Sequence, residues 1–285
     1  MEIAYLVLAH EKPHQLARLL QALGTEGARI FVHVDLAASL EAFVANCAYI
    51  RNVEWARHRV DVRWGGFGVV QATLNLMSQA LEAGRYDYLL LLSGADYPIV
   101  SNARIVAELD SGNGSEFINC TPMPAPEVGK PMSRLDRYFF APKNRRNVFA
   151  RLLNRALRIG PRRNPSRALG HMQPYGGSGW WCLSSACATY VLEFVQENPA
   201  FVRFFRRTRI PDEMFFQTIV ANSRFARNIR PALFYADWSR KTPPYPAVLD
   251  STDLHRLRGS GRLFARKFDI DGDPGVFDLI DRELR

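Results

Sequence analysis

The stretch IAYLVLA, from Ile3 to Ala9, is an unbroken apolar run with β-branched members. Such a run is typical of a strand that is buried on both faces, as in a parallel sheet. Pro13 then suits the first turn of a helix, and leucines recur at helical spacing up to Leu23. A second apolar run, IFVHV at 30–34, ends at Asp35. This strand–helix–strand order predicts a βαβ unit.

The same pattern continues over the next 60 residues or so of the chain. We predict a helix over Leu40–Cys47, and a second helix that follows the glycine-rich turn at 64–68 and ends near Ala83. The run YLLLL at 88–92 predicts another buried strand, and SGADYP at 93–98 is the loop at its end. Ligands of open α/β sheets bind at such strand ends. Residues 1–120 are therefore predicted to form a nucleotide-binding half.

The second half of the chain begins after residue 170 with a glycine-rich turn, GGSGWW at 176–181. Ser184 is a plausible N-cap for a helix that runs to about Gln196. Pro211 opens a further predicted helix, and Ala232–Tyr235 predicts a strand. No linker is long enough to mark a boundary, so we predict one domain over residues 1–285. It comprises a nucleotide-binding half (1–120), a basic insertion (121–170) and a second half (171–285).

Composition limits the classes of protein that this chain can be. The 285 residues are 47% hydrophobic and carry a formal net charge of +9, which favours anionic partners. No run of about 18 apolar residues predicts a membrane-spanning helix, and the N-terminus does not read as a signal peptide. The four cysteines form no C-x-x-C pair. These features predict a cytoplasmic protein in a reducing compartment.

The predicted insertion is strongly basic. Residues 134–167 contain eleven Lys or Arg and one acid, Asp136. Four arginines fall on one predicted helical face: Arg151, Arg155, Arg158 and Arg162. Three interpretations stay open: a nucleic-acid contact, an amphipathic helix on an anionic membrane surface, or a solvated helix face.

Several catalytic and binding motifs are missing. The sequence has no G-x-S-x-G elbow, and neither of the glycine-rich phosphate loops follows the first strand, where the chain reads HEKP at 10–13. The acidic turn at 269–273 lacks the glycine and the final carboxylate of a calcium loop. Asp96 is the single carboxylate at 93–96, and a hard cation rarely binds to one protein ligand. We therefore predict no metal and no cofactor.

Without a metal, a bound diphosphate would need fixed positive side chains. The late chain offers Arg240 with Lys241, and Arg266 with Lys267 between two phenylalanines. A lysine stem lying along a core strand explains the second pair equally well. Glu213 is the candidate general base, although acids are also favoured at a helix start because of the helix dipole.

Five short segments of the chain are informative because of the order in which they occur. They are LSGADYPI (92–99), GSGWW (177–181), PDE (211–213), DWS (237–239) and LFARKFD (263–269). Together they resemble the core-2/I-branching enzyme family, which includes β-1,6-N-acetylglucosaminyltransferases and peptide O-xylosyltransferases. The resemblance runs from Ile3 to the C-terminus and is weakest over 121–170.

The resemblance implies an α/β fold of the GT-A-like type, a Rossmann-like mixed sheet flanked by helices. It also implies an inverting glycosyl transfer without metal, with Glu213 as the catalytic base. Lys267, with Arg266 beside it, is expected to contact the donor diphosphate, helped by Arg240 or Lys241. Further donor-side residues are expected at Asp96, His10 and Asp35. The residues expected on the acceptor side are Trp238, Trp180, Trp181, Arg134 and Arg137. The resemblance thus implies that residues 171–285 form the acceptor and catalytic half.

The identity of both substrates stays open at this stage. UDP-xylose and UDP-N-acetylglucosamine are both possible donors, and the acceptor could be a carbohydrate, a lipid-linked glycan or a peptide. Animal members of that family are membrane-anchored and rich in disulfides, whereas this sequence shows no predicted anchor and four scattered cysteines. These departures suggest a bacterial member that acts in surface polysaccharide or glycoconjugate synthesis, with peripheral contact to the anionic inner membrane through the arginine face at 151–162. Two alternatives are a non-catalytic carbohydrate-binding protein and a nucleic-acid-binding protein, although we expect no nucleic-acid partner.

Overall fold

The structure, a computed structural model, describes residues 1–143, 147–240 and 243–285, so Lys241 lies outside the described residues. The strands in chain order are β1 (Ile3–Ala9), β2 (Ala28–Val34), β3 (Val53–Trp55), β4 (Tyr88–Ser93), β5 (Asp96–Pro98), β6 (Glu116–Phe117), β7 (Thr121–Pro122), β8 (Tyr175–Gly176), β9 (Cys182–Ser184), β10 (Ile229–Arg230), β11 (Phe234–Ala236) and β12 (Phe264–Arg266). The α-helices are α1 (Pro13–Leu23), α2 (Leu40–Cys47), α3 (Gly68–Ala83), α4 (Asn102–Gly112), α5 (Val148–Ile159), α6 (Ser166–Leu169), α7 (Ser185–Glu197), α8 (Pro199–Phe205), α9 (Phe215–Ala221), α10 (Leu254–Gly259) and α11 (Gly275–Glu283).

The central sheet has seven strands in the order β10-β6-β9-β4-β1-β2-β3. Strands β1 to β4 are parallel, with β1 between β2 and β4, whereas β9 runs antiparallel to both β4 and β6. The predicted βαβ unit is confirmed as β1, α1 and β2. The structure therefore confirms the predicted α/β class and the Rossmann-like mixed sheet flanked by helices that a GT-A-like fold requires.

Both faces of the central sheet are covered, which explains the unbroken apolar runs. Along β1, Tyr5 and Val7 belong to one core cluster, whereas Ala4 and Leu6 belong to the cluster on the opposite face. The first cluster includes residues of α1, α4 and α11, and the second includes residues of α3, α7, α8 and α9. Side chains on both faces of β1 are therefore buried away from water.

A second sheet, in the order β11-β12-β5, ties the end of the chain to the first half. Strand β12 pairs antiparallel with β5, and this register sets Arg266 opposite Asp96. Phe264 and Phe268, on either side of this pair, are buried in the core cluster that contains Tyr5 and Val7 of β1. The pairing therefore brings the late basic pair, Arg266 and Lys267, to the loop that follows β4.

The segment at Pro211 differs from the predicted helix. Pro211–Glu213 forms one short 3-10 turn, and α9 begins only at Phe215. Ile210 has a left-handed φ of 52°, which is unfavourable for a β-branched residue, and its N–H donates to the carbonyl of Gly65 at 2.8 Å. Met214, with φ of −142°, separates the turn from α9. Glu213 therefore lies in a short turn whose position is fixed by tertiary contacts.

The basic insertion is attached to the body by Arg163 and carries α5. The buried Arg163 guanidinium donates to the carbonyl oxygens of Phe204 at 2.5 Å and Arg207 at 3.0 Å, and it lies 3.7 Å above the Phe204 ring. Burial lowers the pKa of Arg163 to about 10. Helix α5 ends at Ile159, so the prediction that Arg162 shares a helical face with the three preceding arginines is wrong. None of the helices in the described ranges has the length and apolar character needed to cross a bilayer.

Candidate functional site

The candidate site lies where the parallel strands of the central sheet end. His10 follows β1, Asp35 follows β2, and the loop from Ser93 to Asp96 follows β4. Because these strands are parallel, their carboxyl ends meet at the same edge of the sheet. This edge is the expected place for a ligand in an open α/β sheet.

Asp96 is fully buried at the base of this site. Its two carboxylate oxygens accept hydrogen bonds from the Ser93 amide at 2.8 Å and the Ser93 hydroxyl at 2.7 Å. Burial raises the pKa of Asp96, and the neighbouring Arg266 opposes that rise. Within residues 1–143, 147–240 and 243–285, no group of three or more His, Cys, Asp or Glu side chains could hold a metal ion.

Arg266 is a buried cation whose hydrogen bonds are incomplete. Its Nε atom lies 3.6 Å from an Asp96 oxygen, and its guanidinium lies 4.0 Å from the centre of the Trp180 ring. Its Nε and Nη1 atoms are buried without a hydrogen-bond partner among the described residues. Burial lowers the pKa of Arg266, because loss of contact with water disfavours the charged form. Unsatisfied donors on a buried charge are costly, so this arrangement favours an incoming anion.

Lys267 follows directly and adds a second positive charge. Its Nζ atom donates to the Tyr245 carbonyl oxygen at 3.2 Å, and its side chain is partly buried. Burial and then repulsion from Arg266 lower the pKa of Lys267, while Asp96 and Glu11 oppose the effect. Two adjacent cations that destabilise each other are typical of a site prepared for a multiply charged anion.

Glu213 lies on the other side of the site and is bound by two cations. Its Oε2 atom accepts hydrogen bonds from Lys130 and, at 2.5 Å, from Arg134. The backbone is fixed as well, because the Gly177 amide donates to the Glu213 carbonyl oxygen at 2.8 Å. A Cβ atom at Gly177 would lie 1.7 Å from the Asn119 carbonyl oxygen, so only glycine fits there. The Glu213 carboxylate is thus partly exposed but fixed in position.

Asp212 connects the two sides of the site. Its carboxyl group lies close to Gly179, where an added Cβ would come within 3.0 Å of Oδ2. Asp212 also interacts electrostatically with Arg266 on one side and with Glu213 on the other. Desolvation, followed by repulsion from Glu213, raises the pKa of Asp212 from 3.8 to about 7. The site therefore forms a continuous charged network from Lys267 to Lys130.

The raised pKa of Asp212 predicts a specific pH dependence of stability. Between about pH 4 and pH 7 the folded chain retains a proton that the unfolded chain releases, so stability falls as pH rises through this window. The side chain in Asp212→Asn carries no charge at any pH in this window. We therefore expect the fall in the free energy of unfolding between pH 5 and pH 8 to be smaller in this variant by on the order of 1 kcal/mol, a value reduced to account for the partial exposure of the residue. The measurement is the free energy of urea unfolding at pH 5 and at pH 8. Asp110→Asn, at an exposed site on α4, is the matched control, and an equal decline in both variants would contradict the assignment.

Comparison with known proteins decides the family. The family model described as Core-2/I-Branching enzyme matches residues 3–257. The chain belongs to the core-2/I-branching enzyme family. The chain is similar to xylosyltransferase 2 of Rattus norvegicus (27% identity over 313 residues) and of Mus musculus (28% over 313 residues), covering 100% of this chain and 34% of each relative. It is also 25% identical over 293 residues to xylosyltransferase oxt of Drosophila melanogaster, covering 94% of this chain and 32% of that protein. The chain thus spans about a third of the length of these relatives.

Solved structures show weaker similarity. Mouse xyloside xylosyltransferase 1 in its apo form aligns with a TM-score of 0.39 and 14% identity, covering 92% of this chain and 97% of that chain. A putative glucose-1-phosphate thymidylyltransferase from Bacillus anthracis, in complex with a sucrose, aligns with a TM-score of 0.34 and 11% identity, covering 69% and 78%. Both TM-scores are below 0.5, so no conclusion about this family member follows from them.

The structure brings together several of the predicted residues of this core-2/I-branching family member. On the expected donor side, Asp96, Arg266 and Lys267 are neighbours. On the expected acceptor side, Arg134 contacts Glu213, and Trp180 lies against Arg266. Their roles stay predictions, but their proximity did not follow from the sequence pattern alone.

Two of the predicted donor-side residues at the strand ends have different surroundings. His10 is exposed and lies 3.6 Å from Glu11. Asp35 is buried, and its carboxylate accepts hydrogen bonds from the amides of Ala37 at 2.8 Å and Val62 at 3.0 Å. Asp35 thus already fixes the loops at the end of β2.

The structure contradicts two of the predicted contacts. Trp181 is fully buried and packs against Phe216 at 5.3 Å between ring centres, so it cannot stack on an acceptor. Arg240 donates to Asp253 at 2.6 Å and to the Val248 carbonyl oxygen at 3.0 Å. Asp237 and Asp250 lie within 4.0 Å of the same guanidinium. Arg240 is therefore neutralised by carboxylates and is unsuited to a diphosphate; its sequence neighbour Lys241 lies outside the described residues.

The remaining two acceptor-side predictions fall outside the charged network. Trp238 follows β11 and is 65% exposed, so its ring is accessible for stacking. Arg137 donates to the Gly160 carbonyl oxygen at the end of α5 and lies 3.9 Å from Asp136. Arg137 therefore stabilises the insertion in this arrangement, and its contact with an acceptor stays a prediction.

Sequence reasoning missed Lys130, Asp212 and Trp64 as members of this region. Lys130 is buried against Glu213, although it comes 83 residues earlier in a proline-rich loop. Trp64 lies on the glycine-rich turn at 64–68, and the Arg209 guanidinium is 5.7 Å from its ring. Arg209 in turn interacts electrostatically with Arg134 and Glu213. A lone lysine among prolines gives no periodic signal, but Asp212 could have been found because it adjoins the candidate base.

Proposed function

We propose that this chain is an inverting glycosyltransferase that moves a sugar from a UDP-sugar to an acceptor hydroxyl without a divalent metal. The observation that carries the proposal is the buried Arg266 guanidinium, with unsatisfied nitrogen atoms, beside Lys267 at the carboxyl edge of the sheet. Membership of the core-2/I-branching family supports a nucleotide-sugar donor and an acceptor.

The donor side is suited to a departing diphosphate. Charge accumulates on the diphosphate as the bond from the anomeric carbon breaks, and preorganised cations stabilise that charge. Arg266 is held against Asp96 and Trp180, so its position is set before the ligand arrives. Lys267 supplies a second cation that can exchange its contact with the Tyr245 carbonyl for a phosphate oxygen.

The acceptor side provides the base. In one in-line displacement the acceptor oxygen bonds to the anomeric carbon, the bond to the diphosphate breaks, and UDP leaves with the electron pair. The acceptor hydroxyl proton passes to the Glu213 carboxylate as the new bond forms. Lys130 and Arg134 hold one carboxylate oxygen of Glu213. The other carboxylate oxygen is the one that we propose accepts the proton.

The surroundings of Asp96 support the proposed independence from metal. Both of its oxygens accept hydrogen bonds from Ser93, and Arg266 lies on the same carboxylate. A divalent cation would have to displace these contacts and would also meet the positive charge of Arg266. In this proposal Arg266 and Lys267 take the electrostatic role of an ion.

The named relatives support a proposal for the donor sugar. The most similar proteins reported above are xylosyltransferases, so UDP-xylose is the donor that we propose first, with UDP-N-acetylglucosamine as the alternative. For the acceptor, the accessible Trp238 ring supports a sugar that stacks on an aromatic face. We therefore propose a carbohydrate acceptor.

Binding of UDP in the presence of a chelator tests this proposal directly. Because a ligand that binds only the folded chain stabilises it, UDP at about 100 times its Kd should add roughly 2.7 kcal/mol of stability and raise Tm. The measurement is thermal unfolding with UDP and EDTA, followed by UDP release from a panel of UDP-sugars. Stabilisation that appears only with added Mg²⁺ or Mn²⁺ would refute the metal-independent mechanism. Sugar binding without any UDP binding would instead indicate a carbohydrate-binding protein.

A further inference from the structure

Helix α5 (Val148–Ile159) exposes an apolar face that the body of the protein does not cover. Phe149 and Ile159 are each 84% exposed. The other large apolar side chains exposed on this helix are Val148, Leu152 and Leu153. With about 100° between successive residues, these positions share one side of the helix. An exposed stripe of this kind marks an interaction surface.

The opposite side of α5 is the one attached to the protein. Ala150 is buried, and the Asn154 side chain exchanges hydrogen bonds with the Phe140 backbone at 2.8 and 2.9 Å. Arg137 donates to the Gly160 carbonyl oxygen at the helix end. These contacts fix the rotation of α5 about its axis, so the apolar face points outward because of the fold.

Positive charge borders this apolar face. Arg151, Arg155 and Arg158 are exposed along the same helix. From Arg137 through Leu192 the sequence contains ten Lys or Arg residues, Arg137 included, and no Asp or Glu. The apolar stripe of α5 therefore lies in a segment of the sequence whose charged side chains, histidine apart, are all positive.

We propose that α5 binds in the plane of an anionic lipid bilayer, with its apolar side chains in the acyl boundary and its arginines on the phosphate groups. An amphipathic helix with basic residues on its polar face has this binding mode. A second copy of the chain is disfavoured, because two-fold pairing of α5 would place like charges against each other. Nucleic acid would engage the arginines but leave Phe149, Leu152 and Ile159 in water.

Such docking would place the candidate site close to the lipid surface. The loop that supplies Lys130 and Arg134 to Glu213 continues into residues 137–140, which hold α5 through Arg137 and Phe140. The inference does not rest on the proposed transferase activity, since binding to lipid is measured without any donor or acceptor.

Co-sedimentation of the full chain with vesicles tests the proposal. We expect binding to vesicles of equal parts phosphatidylglycerol and phosphatidylcholine, and much weaker binding to phosphatidylcholine alone. The triple variant Arg151→Gln, Arg155→Gln, Arg158→Gln should lose roughly 100-fold in affinity at low salt, since each basic group near the surface contributes several-fold. The variant Phe149→Ser, Ile159→Ser should lose binding even with the arginines present, because the apolar part of the interaction is removed.

The matched control is Arg51→Gln, Arg85→Gln, Arg227→Gln, which removes the same charge from exposed positions outside the insertion. Equal weakening by the control and the α5 triple would overturn the proposal, because it would show a general charge effect. Absence of binding to anionic vesicles at low salt would also overturn it, as would binding to double-stranded nucleic acid but not to vesicles. Light scattering that shows a dimer without vesicle binding would assign the face to a second copy. Thermal unfolding of each variant establishes that the chain is folded.

Discussion

Replacement of Glu213 by glutamine is expected to remove most of the sugar-transfer activity and to leave UDP binding unchanged. Glutamine keeps the shape of the side chain but cannot accept the acceptor proton, so UDP release should fall roughly 100-fold or more. The donor side should be unaffected, because Asp212 separates Glu213 from Arg266 and its neighbour Lys267. The measurement pairs the initial rate of UDP release with the Kd for UDP by calorimetry.

A structural effect must be separated from the chemical one. Glu213→Gln leaves Lys130 and Arg134 without their carboxylate partner, so a loss of stability accompanies the loss of activity. Glu213→Asp retains the charge but shortens the reach, and we expect an intermediate rate. Glu197→Gln, at an exposed position at the end of α7, is the matched control and should turn over normally. A Glu213→Gln enzyme that is folded and fully active would exclude Glu213 from the reaction.

Replacement of Lys267 by methionine is expected to cause a second large loss of activity, in this case through the binding of the donor. The amine is proposed to stabilise charge on the departing diphosphate, so its removal should lower kcat/KM for the UDP-sugar by roughly 100- to 1000-fold. Methionine preserves the stem that packs along the core while it removes the cation. Unlike Glu213→Gln, this variant should also bind UDP more weakly, because the same cation contacts the free product.

Two comparisons make the Lys267 result specific. Lys267→Arg should recover part of the activity, since it restores a cation at the same place, whereas a purely structural role would not require charge. Lys143→Met, on an exposed loop of the insertion, removes an equal charge and should not change kcat/KM. Normal UDP affinity and turnover in Lys267→Met would contradict the proposed diphosphate site.

The local elements of this chain were predictable because their signals are local. The run at Ile3–Ala9 matched β1 residue for residue, and the Leu40–Cys47 helix was also correct. Ser184 caps α7 as expected, accepting a hydrogen bond from the Cys187 amide at 3.2 Å. Apolar periodicity and capping depend on residues within one turn or one strand, so the sequence contains them directly.

The site was only partly predictable. Ordered motifs led to Glu213, Lys267 and Asp96, but nothing in the sequence showed that Lys130 would bind Glu213 or that Trp181 would be buried while Trp180 faces Arg266. The two tryptophans are adjacent, and which of them reaches the site depends on the direction that β9 takes as it enters the sheet. Arg240 was misjudged for a similar reason, since its carboxylate partners Asp250 and Asp253 are recruited by the fold of the following loop.

By itself the sequence determined the α/β class, the excess of positive charge and the amphipathic nature of the insertion, because composition and periodicity are properties of consecutive residues. Only the tertiary structure decided which charges meet. The antiparallel register of β12 with β5 sets Arg266 opposite Asp96 across 170 residues of chain, and the packing of α5 decides which of its faces meets the solvent. Long-range pairing depends on how distant segments exclude water together, and no short stretch of sequence specifies that.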